Sequence, residues 1–164
     1  MMQSFFAMGL VTVLWALLGY TLAFGPDIAG LIGGMRFLGL DNTLSSTTGT
    51  IPTNVFVMFQ GMFAVITAAL ISGAFAGRIK FKAYALFIGV WTLLVYSPLA
   101  HWVWGGGWLT QLGALDFAGG TVVHIASASA ALAGVLVLGR RRDYGSESLR
   151  PHNLPLTLLG TGIL

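Results

Sequence analysis

Long apolar runs alternate with short polar gaps along this chain, and every charged residue falls in a gap. No Lys, Arg, Asp or Glu occurs from Met1 to Pro26, from Asn42 to Gly77, from Ala83 to Leu115 or from Phe117 to Gly139. The last two runs contain one histidine each, His101 and His124. A helix needs about 20 apolar residues to cross the hydrocarbon of a bilayer. Four spans are therefore predicted, near 3–24, 54–76, 83–102 and 117–138. A fifth apolar run begins at 154 and reaches 164. The runs are too long and too uniformly apolar for barrel strands, which alternate over about 10 residues. Backbone groups in lipid leave only helices or closed barrels as solutions. The reading is all-α, a polytopic membrane helix bundle forming one domain over 1–164.

Composition agrees with this pattern. Of the 164 residues, 56% are hydrophobic and 8% are charged, against about 25% charged in soluble domains. The same figures exclude disorder. With no cysteine, disulfide scaffolds, thiolate metal sites and cysteine nucleophiles are excluded. The net charge of +3 does not point to nucleic acid, because its location explains it. Arg78, Lys80 and Lys82 lie in one gap, and Arg140, Arg141, Arg142 and Arg150 lie in another on the same side. The opposite side carries only Arg36. The positive-inside rule makes loops 78–82 and 140–150 cytoplasmic. Residues 27–51 and 102–115 then face outward. Trp15, Tyr20, Tyr84, Trp102 and Trp108, near the span ends, suit an interfacial aromatic belt. Gly73 and Gly77, and the small residues from Ala126 to Gly134, suit close helix approach.

A few residues stand out against this background. An ionisable side chain inside a span is a functional candidate, and His124 lies eight residues past Asp116, about 12 Å along a continuous helix. It is either a neutral histidine satisfied by a backbone carbonyl, or a proton relay, a pore-lining donor, or a haem or metal ligand. Asp116 is either a helix cap or a cation ligand at an outer mouth. Three glycines after Trp104 allow a sharp turn, and the exposed indole face of Trp104 can attract a cation. Phe56, Phe59 and Phe63 share one helical face, either as packing or as a dry constriction.

Together these segments resemble the ammonium transporter (Amt/Rh) family, on the Amt side. The matching stretches are Gly19-Tyr20-Thr21-Leu22-Ala23-Phe24-Gly25, Phe59-Gln60-Gly61-Met62-Phe63-Ala64, Ala100-His101-Trp102-Val103-Trp104-Gly105-Gly106-Gly107 and Gly113 to His124. Asp116 to Arg141 matches throughout, and so does Pro151-His152-Asn153-Leu154-Pro155. One departure is Gly77, where the family usually has a glutamate.

The resemblance implies an ammonium/ammonia transporter in the cell membrane, not an enzyme, with methylammonium as a substrate analogue. It further implies no cofactor and no metal, assembly as a homotrimer in the lipid bilayer, and a cytoplasmic PII-type regulatory protein as partner. Trp104, Phe63 and Phe59 then match the outer aromatic site and gate, Asp116 the aspartate that organises that site, and His124 the first of two pore histidines. The chain would be a fragment, about helices 2–6 of 11 and part of one inverted-repeat half, unable to transport alone. The alternatives are an ammonium sensor of transporter-like fold, and a membrane redox protein using His124, His101 and Asp116.

The charge asymmetry predicts that a single cysteine replacing Ser45 reacts with an impermeant thiol reagent in intact cells and one replacing Ser146 does not. Reversed labelling would overturn the orientation.

Overall fold

The computed structural model describes residues 2–146 and 152–163. Arg150, Pro151 and the two chain ends, which the sequence reading had used, lie outside the described residues. Four helices are long and apolar enough to span a membrane: α1 (Met2–Phe24), α2 (Thr53–Phe75), α3 (Phe81–Gln111) and α4 (Gly120–Leu138). A shorter apolar helix, α5 (Leu154–Ile163), follows. The long connection between α1 and α2 holds two antiparallel ribbons, β1 (Asp27–Ile28) with β2 (Ile32–Gly33) and β3 (Thr47–Thr48) with β4 (Ile51–Pro52).

Two boundaries differ from those expected. α3 runs on to Trp104 before the glycines break it and a last short turn, Trp108–Gln111, follows. α4 starts at Gly120 rather than 117, because Gly119 is left-handed, with φ +90°, and ends the loop before it. The helices are also less regular than their sequences suggest. Wide π turns interrupt α1 at Trp15–Gly19, α3 at Thr92–Tyr96 and α4 at Gly120–Ile125. In α3 the cause is legible: Pro98 offers no N–H to the ladder, which leaves an acceptor in the preceding turn free. The Thr92 carbonyl in this turn accepts from both the Ser97 N–H and the Ser97 hydroxyl, the latter at 3.0 Å.

The π turns of α1 and α3 lie against each other, and α1 also packs along α2, which packs along α4. Trp15 is the centre of this core. Its indole is 3% exposed, donates to the Val57 carbonyl at 3.0 Å and meets Tyr20, Phe24 and Tyr96 edge-on. Gly61 lets α2 approach it, since a Cβ there would lie 3.0 Å from the Trp15 ring. Trp15, Tyr20 and Tyr84 are thus core residues and not an aromatic belt; all three are buried. Of the small residues, Gly134 makes the close approach between α2 and α4, while a Cβ at Gly73 would meet nothing within 4 Å.

At the end of the bundle that carries the basic loops, Arg78 joins two helix ends. Its Nη1 donates to the Ala74 carbonyl at 2.7 Å and its Nε to the Gly139 carbonyl at 2.9 Å. Both are C-terminal carbonyls with no intrahelical partner. Gly77, the departure from the family pattern, has φ +71°, a conformation that disfavours glutamate. Arg141 pairs with Asp143 in two bonds of 3.2 and 3.0 Å.

A Cβ at Gly134 would overlap the Phe75 ring, which is itself held edge-on by Phe87 at 4.9 Å. Gly134→Val is expected to destabilise the chain by about 1–3 kcal/mol through overpacking, read as a lower unfolding midpoint in detergent. An unchanged midpoint would show that α4 does not rest on α2 there.

Candidate functional site

The site forms where α2, the C-terminal end of α3 and the start of α4 meet. Asp116 lies in the loop before α4, folded back over the helix start. Its Oδ1 accepts from the N–H groups of Gly119 and Gly120 at 2.7 and 2.8 Å, and its Oδ2 from those of Thr121 and Val122 at 2.8 and 3.1 Å. These are the four N–H groups that a helix start leaves without partners. One carboxylate satisfies all of them and also opposes the positive end of the helix dipole. Partial burial pushes its pKa up, but the four backbone bonds outweigh burial and hold the carboxyl below its ordinary value.

The Asp116 main chain holds the next residue of the site. Trp104 Nε1 donates to the Asp116 carbonyl at 2.7 Å. The indole meets Phe63 edge-on at 5.5 Å, and Phe63 meets Phe59 edge-on at 5.2 Å. Phe59 is 54% exposed. With Phe63 and Met62 it walls an apolar groove of about 410 Å³. Phe56 does not continue this run. It turns to the core and stacks edge-on with Phe24 at 5.1 Å.

His124 lies four residues into α4, about 6 Å along the helix axis. That is half the depth expected, because Asp116 to Gly119 is a folded loop and adds no helical rise. Its ring is exposed and has no hydrogen-bond partner among the described residues. The satisfied buried histidine of this protein is His101 instead. It is fully buried, with Nδ1 2.9 Å from the Ala23 carbonyl and Nε2 2.8 Å from Asp27 Oδ1. Neither nitrogen is left for an iron, which removes the His101–His124 pair that a redox reading needs.

The structure thus brings Phe59, Phe63, Trp104 and Asp116 into one continuous contact and sets His124 just below the capped start of the same helix. Sequence reasoning missed the His101–Asp27 pair. The only signal for it was a histidine one turn before a triglycine.

Comparison with known proteins gives the same architecture. The sequence profile described as the Ammonium Transporter Family matches residues 1–164. The ammonium transporter of Bacillus subtilis (strain 168) is 51% identical over 166 residues, which cover 99% of this chain and 40% of that protein. The ammonium transporter of Aquifex aeolicus (strain VF5) is 53% identical over 165 residues, 99% of this chain and 38% of that protein. The crystal structure of Candida albicans Mep2 superposes with a TM-score of 0.86 at 38% identity, covering 96% of this chain and 36% of that one. A structure described as Sensor Amt Protein superposes at 0.87 with 30% identity, covering 99% of this chain and 42% of that one. The chain spans about 40% of the length of such relatives. With its whole length matched and its helices superposed, this multi-pass membrane chain belongs to the ammonium transporter family.

Proposed function

We propose that this chain forms one half of an ammonium-conducting pore. The observation that carries the reading is the contact run Phe59–Phe63–Trp104, ending on the Asp116 carbonyl in the loop that leads into the helix carrying His124. Ammonium and potassium have similar size and charge, so a cage of oxygens would confuse them. Only ammonium can leave its proton behind. Trp104 with Phe59 recruits the cation through aromatic faces, worth about 0.5–2 kcal/mol. Phe63 then bars bare ions, because desolvating a charge in an apolar passage costs several kcal/mol or more. Neutral ammonia passes, and the His124 imidazole accepts or relays the proton.

In this mechanism Asp116 acts through the backbone. Both of its oxygens are occupied by N–H groups, so it positions the Trp104 carbonyl partner and the helix start and does not ligate the cation. The exposed ring of His124 and the open flank of Phe59 call for a facing half, as inverted-repeat transporters provide at their interface. The intact protein is a homotrimer in the cell membrane, with its basic loops toward the cytoplasm and a PII-type protein. The likeness to Sensor Amt Protein favours one second reading, an ammonium sensor on the same site, and uptake separates the two.

At full family length the protein is expected to give saturable methylammonium uptake in vesicles, and residues 1–164 alone to give none. Trp104→Leu should raise half-saturation about 2- to 30-fold, the equivalent of the lost cation–π attraction, with flux remaining. Phe63→Ala should change selectivity or rate and leave half-saturation near wild type. If the full-length protein shows no uptake, or both variants lower only abundance, the reading fails.

Asp116 and His124 are expected to fail differently. Asn at 116 keeps one acceptor but turns an NH2 toward two N–H groups, so Asp116→Asn should cost about 1–3 kcal/mol of stability and not merely remove charge. The carboxyl binds protons more weakly folded than unfolded. Its cap therefore contributes fully above the ordinary aspartate pKa of about 3.9 and is lost as pH falls through the lower folded value. Thermal melts of wild type against Asp116→Ala from pH 7 to pH 2 should converge at the acid end. His124→Ala should melt like wild type and lose ammonia selectivity, read as a potassium current; selective transport by that variant would remove His124 from the pore.

A further inference from the structure

We propose that His101 is a doubly protonated positioning residue, paired with Asp27, that fixes Trp104 at the outer mouth; its role in recruitment rests on the reading of the Trp104 site given above. Nδ1 faces the Ala23 carbonyl at 2.9 Å, and a carbonyl only accepts. Nε2 faces Asp27 Oδ1 at 2.8 Å. Asp27 is engaged as an ionised carboxylate, since both of its oxygens also accept from the Gly30 N–H, at 2.9 and 3.1 Å, and its side chain is 37% exposed. Two acceptors require two N–H groups on the ring, so His101 is an imidazolium. Its surroundings suit that charge. Ala23 lies in the last turn of α1, where carbonyls lack intrahelical partners and carry the negative end of the helix dipole. A neutral ring would leave either the carbonyl or the carboxylate facing a lone pair.

The pair sets the turn that carries Trp104. The Ala23 carbonyl that takes the Nδ1 proton lies so close to Gly105 that a Cβ there would overlap it. The His101 carbonyl accepts from the Gly105 and Gly107 N–H groups at 3.0 and 2.9 Å. Asp27 reaches the same turn from the other side: it holds the Gly30 N–H, and the Gly30 carbonyl accepts from the Trp108 N–H at 3.0 Å. The backbone on both sides of Trp104 is therefore tied to α1 through one imidazolium–carboxylate pair, and the indole is left to reach Asp116.

The test is nitrogen NMR on ring-15N histidine and indole-15N tryptophan in the protein at full family length, in lipid nanodiscs at pH 7.5. His101→Gln assigns the ring signal by difference. Wild type is expected to show two protonated nitrogens on His101, and Asp27→Asn, whose amide can donate to Nε2, is expected to leave one. The Trp104 indole N–H should shift and exchange faster in both variants, and half-saturation for methylammonium should rise severalfold with maximal rate within about twofold. A neutral His101 in wild type, or a Trp104 signal unmoved by the variants, overturns the proposal. If His101→Gln does not fold, the Asp27→Asn comparison carries the same two outcomes. If wild type takes up no methylammonium, the recruitment reading fails, while the ring protonation and the Trp104 signal still decide the pairing.

Discussion

The first four N–H groups of a helix have no partner within it and must find one outside. In this protein one side chain takes all four. Asp116 spans the start of α4 with two bonds to each oxygen, and much of the local geometry follows. The loop must fold back over the helix for the carboxylate to reach, which requires the left-handed Gly119. A Cβ at Gly119 would lie 2.5 Å from Val123, so glycine is needed for space as well as for φ. The same fold-back presents the Asp116 carbonyl to Trp104. A charge at a membrane mouth would ordinarily read as a ligand. Here it is consumed by the backbone, and its service to the site is geometric.

The opposite wall is built on the same rule at the other helix end. α1 ends with carbonyls that need donors, and α3 supplies one through His101. Glycine at 105 allows the two ends to touch. The two walls meet at Trp104, whose backbone is set by the α1–α3 contact and whose indole is set by the α4 loop. An aromatic side chain held from both ends keeps one orientation, which a cation–π site requires, since attraction depends on the ring face being presented. Phe63 and Phe59 extend the run along α2, where α2 is fixed by Trp15 over Gly61 and by Phe75 under Gly134.

Much of this was legible in the sequence. Charge-free runs of spanning length fixed the four membrane helices, because lipid tolerates neither charge nor open backbone. Arginine and lysine placement set the expected orientation. The segments around Trp104, Phe63, Asp116 and His124 carried the family likeness, and the profile matched the whole chain. Those inferences use one-dimensional information: which residue types occur, and at what spacing.

What the tertiary structure alone decided is which partner each polar or aromatic group finds. Periodicity put Phe56 with Phe59 and Phe63, but α1 ends beside Phe56 and draws it to Phe24. Position near a span end made Trp15, Tyr20 and Tyr84 look interfacial, but the crossing of α1 and α3 at their π turns buries the first two, and Tyr84 packs edge-on against Phe75 with its hydroxyl donating to the Gln3 carbonyl. Spacing placed His124 about 12 Å deep on a straight helix, but a loop consumed the first residues. Two histidines in apolar runs looked alike in the sequence. Among the described residues His101 is bonded on both nitrogens and His124 on neither, because α1 ends against one, while the side of α4 carrying the other is left uncovered. Composition and spacing determine where the chain can enter a membrane. They cannot say which distant carbonyl or carboxylate will lie 3 Å from a given nitrogen, since that depends on how separate helices cross.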